Sequence, residues 1–331
     1  MTDVVEKLAG ITQLRDRDVL DVALAGALRD LVQPDAVAVL RRVGIDGDER
    51  WTLRAQIGRH DAAATSDPAW IDMATLPRAA DHPLRDHALR GRDAVLHGGG
   101  AHSEPCVAVF PLPADSGASA VVEISTGAPL DAAAQRVVSG VLSVYRNFQS
   151  LLDYSERDTL TGLRNRKTFE DTFVKLVGEA VAGPDGGTWL GVIDIDHFKR
   201  VNDIHGHLIG DEVLLLLSRL MRNNFRYNDR VFRFGGEEFV VMMRCAREVQ
   251  TANAFERLRE RVEAFAFPRV GHKTISIGYT EVRPTDSPND AFQRADRAVY
   301  WAKEHGRNRV CNFAELVRAG ELSERQMPAG G

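Results

Sequence analysis

The chain has 331 residues, 44% apolar and 27% charged, enough for two ordinary domains each with its own core. A formal net charge of -5 removes any general electrostatic reason to bind nucleic acid or an anionic membrane, so a nucleotide would have to be held by local cations. No apolar run reaches the about 20 residues that span a bilayer, and the N-terminal stretch with Asp3, Glu6, Arg15 and Asp16 has no signal-peptide core. A cytoplasmic protein is the expectation. Cys106, Cys245 and Cys311 stand apart, without metal-ligand spacing, and fit reduced, buried thiols.

In chain order, Leu20, Leu24, Leu28 and Leu31 recur at helical spacing and predict an amphipathic helix over 14–32. Strands follow at 36–40 and 51–55 around a turn at 44–48, then at 106–110 and 120–124 across a Pro/Gly/Ser-rich connection. The stretch 57–105 reads as a long irregular loop. It holds His60, His82, His87, His97 and His102, none paired at a ligand spacing, which makes it a polar surface loop. His97 leads into a glycine tip at 98–100. This α+β order, over 1–130, is similar in pattern to the GAF or PAS sensory class, with GAF preferred.

Over 131–157, Val137, Val141, Val144, Phe148 and Leu151 fall at alternating steps of four and three. That is the seam of a coiled coil, which would lay two chains in parallel, or the stripe of a helix packed on its own domain. Beyond it come a helix over 168–177, a turn at 183–187 and a strand over 189–195. A helix over 209–225 carries Leu214, Leu217, Leu220 and Met221. Helices over 247–265 and 289–305, a strand over 274–279 and a last strand over 309–313 complete the order, with 316–331 as a tail.

Two stretches carry chemistry. The apolar run Trp189–Ile195 delivers Asp194 and Asp196 at its C-terminal end. Downstream, Arg233-Phe234-Gly235-Gly236-Glu237-Glu238-Phe239 reads as a hairpin turn: two glycines tolerate positive φ, and two adjacent carboxylates call for a cation. If strand and hairpin pair, Asp194 and Glu237 converge. Hard oxygen donors with no nearby cysteine suit magnesium or manganese.

These segments, with 158–166 (Asp-Thr-Leu-Thr-Gly-Leu-Arg-Asn-Arg), Asn202-Asp203, 206–211 (Gly-His-Leu-Ile-Gly-Asp), Ser276-Ile277-Gly278 and 302–308 (Ala-Lys-Glu-His-Gly-Arg-Asn), resemble the GGDEF family of diguanylate cyclases, in its Gly-Gly-Glu-Glu-Phe variant. The likeness spans roughly 154–315, with the domain itself placed at 158–315. It implies a palm-like α/β fold and a homodimer that condenses two GTP into cyclic di-GMP and two pyrophosphates. By the same resemblance, Asp194, the backbone carbonyl of Ile195, Glu237 and Glu238 hold Mg2+ or Mn2+, with Glu237 and Glu238 catalytic and Glu238 a second ligand or base. Asn202 and Asp211 read guanine, and the amides of His197, Phe198 and Lys199 hold the triphosphate. Lys303 and Arg307, four apart on one helix face, reach its phosphates. Arg226 and Asp229 stand at the spacing of the family's Arg-x-x-Asp product-inhibition site. The sensory half would bind a ligand the sequence does not identify. A domain that has lost catalysis and serves as a nucleotide receptor is the alternative.

Overall fold

A computed structural model describes residues 2–324 apart from 15, 46, 68–70, 72, 99–105, 113–118, 182–186, 227 and 246. His102, the tip at 99–100, the 113–118 connection and most of the turn at 183–187 therefore lie outside the described residues. The chain divides into two units, Met1–Ser155 and Glu156–Gly331.

The first unit runs α1 (Thr2–Gln13), α2 (Arg17–Val32), β1 (Ala36–Ile45), β2 (Asp48–Gly58), α3 (Pro83–Gly91), β3 (Val95–His97), β4 (Cys106–Leu112), β5 (Ala120–Thr126) and α4 (Ala132–Glu156). Its antiparallel sheet has the order β2-β1-β5-β4-β3. On one face, Leu20, Leu24 and Leu28 of α2 and Val138, Val141 and Tyr145 of α4 pack on Val37, Val39, Val122 and Ile124. On the other, Leu84, Ala88 and Leu89 of α3 pack with Leu40, Trp51, Val109 and Val121. The alternating strand pattern thus serves two cores, and the unit is three-layered.

Three expectations need correction here. The stretch 57–105 contains α3, β3 and two single 3-10 turns at Met73–Thr75 and Ala79–Asp81. Pro at the first turn of α3 and left-handed Arg92 just past its end delimit that helix, short enough to escape a periodicity search. Helix α1 was also missed. The third concerns α4, whose buried stripe is Val138, Val141, Leu142, Tyr145 and Leu152, one step round from the expected seam. Val141, 1% exposed, is used in its own unit's core, and Phe148, partly buried, packs against the same core. Leu151 and Tyr154, 66% and 79% exposed, lie on the free side.

The second unit runs β6 (Arg164–Asn165), α5 (Lys167–Val181), β7 (Gly187–Ile195), α6 (Phe198–His205), α7 (His207–Asn224), β8 (Arg230–Gly235), β9 (Glu238–Cys245), α8 (Glu248–Ala264), β10 (Ala266–Phe267), β11 (Gly271–His272), β12 (Ile275–Glu281), α9 (Pro288–Glu304), β13 (Val310–Asn312) and α10 (Phe313–Arg318). The main sheet has the order β13-β12-β7-β9-β8-β6. Every residue of β7 after Gly187 is buried, as expected of a central strand covered on both faces. Trp189, Ile193 and Ile195 face Leu214, Leu217 and Met221 of α7 and Phe255 and Leu258 of α8. On the opposite face α9 presses close through Ala291, Ala295, Ala298 and Ala302, all 0% exposed. A Cβ at Gly278 of β12 would lie 2.2 Å from the Ala295 carbonyl oxygen, so only glycine admits this approach. The close seating of α9 brings its C-terminal end beside the end of β7. The expected tail at 316–331 is in part structured: Leu316 of α10 is buried with Phe313, Ala298 and Ala302.

Candidate active site

Two carboxylates with different surroundings stand at the end of β7, Asp194 within the strand and Asp196 just past it. Asp196 Oδ1 accepts from Ser276 Oγ at 2.7 Å, and its Oδ2 accepts from Thr274 Oγ1 at 2.6 Å and the Asn308 amide at 3.1 Å. It ties β7 to β12 and to the chain after α9. Asp194, 5% exposed, pairs across the ladder with Glu238 of β9. Its Oδ2 lies 2.8 Å from Lys303 Nζ of α9, while its Oδ1 is buried and accepts no hydrogen bond. Burial pushes the Asp194 carboxyl above its ordinary range, and Glu238 and Asp196 add repulsion against the pull of Lys303. Burial and the charge of Asp194 likewise push Glu237 up.

The hairpin is built for this meeting. β8 and β9 pair from Arg230↔Met242 to Gly235↔Glu238, leaving Gly236 and Glu237 at the turn. Gly235 and Gly236 take φ of 149° and 51°, values that side chains resist. Arg233 clamps the turn: its Nε and Nη2 donate to the Gly236 carbonyl at 3.2 and 2.9 Å. Its Nη1 donates to both oxygens of Asp158 at 2.9 and 3.2 Å. Asp158 in turn accepts from the Thr161 amide and hydroxyl. The segment 158–166 thereby fixes the turn that carries Glu237, a role that spacing alone does not disclose.

Among the described residues no three His, Cys, Asp or Glu side chains form a metal cage. The donors fit a hard divalent cation all the same. Two carboxylates with raised proton affinity meet there, and a buried, bare oxygen on one of them lacks the partner that buried oxygens normally have.

Other expected residues fall around this point. His197, with φ 59°, follows the turn after β7 and opens α6, whose N-terminus at Phe198 and Lys199 has no side-chain cap. Asn202 of α6 lies against α7, where a Cβ on Gly210 would sit 2.0 Å from its Oδ1; Asp211 is the next residue. Gly206, at φ 81°, makes the bend that joins the two helices. Lys303 is brought to Asp194, but it does not share a helix face with Arg307. α9 ends at Glu304, and Gly306, Arg307 and Asn308 all take positive φ. The Arg307 amide bonds back to the Ala302 carbonyl at 2.9 Å, a Schellman-type stop.

Arg226 and Asp229 stand in the turn between α7 and β8, around Tyr227, which lies outside the described residues. The Asp229 carboxylate caps the Arg226 amide at 2.8 Å, and its burial raises its proton affinity. Arg257 of α8, unmarked by any sequence motif, donates to the side chain and carbonyl of Asn224 at 3.0 and 2.8 Å, which sets a second guanidinium beside this turn.

Residues 155–309 match the family model described as diguanylate cyclase, GGDEF domain. The chain is 41% identical over 157 residues to the diguanylate cyclase DgcP of Pseudomonas aeruginosa, which covers 46% of this chain and 23% of that protein. It is 35% identical over 164 residues to the diguanylate cyclase DgcZ of Escherichia coli K12, covering 49% and 54%. The chain thus spans between about a quarter and about half of these curated relatives. Among solved structures, the GGDEF domain of DgcB from Caulobacter crescentus in complex with c-di-GMP is 34% identical, with a TM-score of 0.46, over 48% of this chain and 93% of that one. Residues 155–309 of this chain are a GGDEF domain.

Proposed function

We propose that the protein is a diguanylate cyclase, joining two GTP molecules into cyclic di-GMP with release of two pyrophosphates. The observation that carries this is Asp194: a carboxylate buried beside Glu237 and Glu238, with one oxygen on Lys303 and the other bare. Asp194, Glu237 and the Ile195 carbonyl would hold Mg2+ or Mn2+, with Glu238 as further ligand or as base. When bound, such an ion lowers the pKa of the attacking 3′-hydroxyl and neutralises the departing phosphates. Lys303, Arg307 and the amides of His197, Phe198 and Lys199 would orient the triphosphate, and Asn202 and Asp211 the guanine edge.

One domain takes one GTP, so the reaction needs two copies face to face. The exposed Leu151 and Tyr154 on α4 support a homodimer through the free side of that helix. The N-terminal unit, a five-stranded antiparallel sheet between helices, supports a GAF-like or PAS-like sensor of an unidentified ligand, and product bound at Arg226 and Asp229 would restrain synthesis. No helix among the described residues is long and apolar enough to cross a membrane. The test is incubation of the purified chain with GTP and magnesium, followed by chromatography of the products. Cyclic di-GMP and pyrophosphate are expected. Tight GTP binding without turnover would replace this reading with that of a receptor.

A further inference from the structure

A cavity of about 300 Å3 is lined in part by Asp196 and His197; Asp194, Glu237, Lys303 and Arg307 do not line it, so it shares only His197 with the residues proposed to hold the triphosphate. Its basic residues are His197, Arg200 and His205 from α6 and its entry, His272 of β11 and Lys273 just after it, with Asp196 as the one acid. Both oxygens of Asp196 are already engaged, by Ser276 and by Thr274 with Asn308. Asp203 of α6 is exposed and outside the lining. Glu263, whose carbonyl lies 3.0 Å from His272 Nδ1, has its carboxylate bonded by Arg259 and Asn308, each at 2.7 Å. Two permanent cations and three imidazoles therefore converge from separate segments on one concavity, and the only acid in its wall is spent.

Cations spread over a convex face are simply hydrated. Gathered in a concavity that buried Val201 helps to line, they focus potential and concentrate anions. The volume stands at the low end of small-molecule sites, about 300–1,000 Å3, and suits a compact, highly charged ion better than a nucleoside. Arginine and lysine with imidazole donors match phosphate oxygens. We propose that this cavity is a second anion site, which binds a compact polyphosphate such as pyrophosphate apart from the Asp194 cluster. It stands whether or not the domain turns GTP over.

The probe is inorganic pyrophosphate, titrated calorimetrically into the full chain at low salt, with a chelator present to exclude metal-dependent binding. One site per chain is expected, weakened about tenfold or more in the Arg200→Ala/Lys273→Ala variant and unchanged in Lys303→Ala. Amine labelling of wild-type Lys273, read by mass spectrometry, should slow when pyrophosphate is added, a readout that needs no variant to fold. Absence of binding at millimolar pyrophosphate, equal binding by the double variant, loss of binding in Lys303→Ala alone, or unprotected Lys273 would each overturn the assignment.

Discussion

Each unit buries an acid, and the two are treated in opposite ways. In the N-terminal unit Asp21 of α2 is fully buried and surrounded by donors: Tyr145 Oη of α4, Arg41 Nη2 at 3.3 Å and Arg54 Nε at 3.4 Å. In the GGDEF domain Asp194 has a single ammonium, two carboxylate neighbours that repel it, and a bare oxygen. Burial of a charge is costly unless it is paired and hydrogen-bonded. Asp21 meets that condition and acts as a joint, pinning α4 to α2 and to two strands. Asp194 does not, although it stands two residues from the fully bonded Asp196, and this contrast is what supports the proposed place for a further cation.

The largest expected effect tests that contrast directly. Asp194→Ala should lower cyclic di-GMP synthesis on the order of 10³-fold or more, about 4 kcal/mol of transition-state stabilisation, while the melting temperature stays level or rises as repulsion with Glu237 and Glu238 is relieved. Glu238→Gln should also lose turnover without unfolding. A variant of Asp194 that retained wild-type turnover, or that melted as early as a core mutant, would break the comparison.

The other side of the contrast is a stability measurement. Asp21→Ala leaves Arg41 and Arg54 facing a lost partner and should destabilise the N-terminal unit by about 3 kcal/mol in urea unfolding, the low end for a broken buried pair because both guanidiniums keep some exposure, 15% and 16%. Tyr145→Phe removes one bond to a charged acceptor and should cost about 1.5–2 kcal/mol. Near-zero losses in both would show that the Asp21 network is not what fixes α4.

Between these lies the clamp on the turn. Arg233→Ala frees the Gly236 carbonyl and should reduce kcat by up to about 10²-fold with a smaller change in KM, because Glu237 and Glu238 are misplaced and not removed. Arg233→Lys, which cannot span both partners bidentately, should recover little. A loss carried entirely by KM would place Arg233 at substrate binding.

What the sequence disclosed was what is local. A Gly-Gly-Glu-Glu turn announces itself because glycine and adjacent charges are rare together, and β7 announces itself as an apolar run. Pairings between distant segments leave no such mark. Asp194 and Asp196 are identical letters in an alternating pattern, and what sets them apart comes from distant segments: Thr274, Ser276 and the Asn308 amide on Asp196, Lys303 on Asp194. That Lys303 lies against Asp194 follows from the alanine face of α9, while the helix face expected to be shared by Lys303 and Arg307 does not form because α9 stops at Glu304. For α4 the period was read correctly, and the sequence left open whether a second chain or its own sheet covers the stripe. A stripe through Val141 fits a second chain or its own sheet equally well, and the period alone does not choose.

The smallest expected effect concerns Asp158, which holds Arg233. Burial works to raise its proton affinity, but the hydrogen bonds from Thr161 and Arg233 outweigh it and hold the carboxyl below its ordinary range. The unfolded chain therefore binds a proton at Asp158 at a higher pH than the folded chain does. Its contribution is complete above the ordinary carboxylate pKa, about 4, and fades as pH falls through the lower folded value. The side chain is 22% exposed, so solvent screening limits that contribution to about 1 kcal/mol or less. Unfolding free energy measured against pH should drop more steeply below about 4 in wild type than in Asp158→Asn, whose amide does not titrate. Asp194, raised where Asp158 is lowered, bends the curve the other way, so the measurement belongs in an Asp194→Ala background. Parallel curves there would mean that Asp158 supports the turn by geometry alone, without its charge.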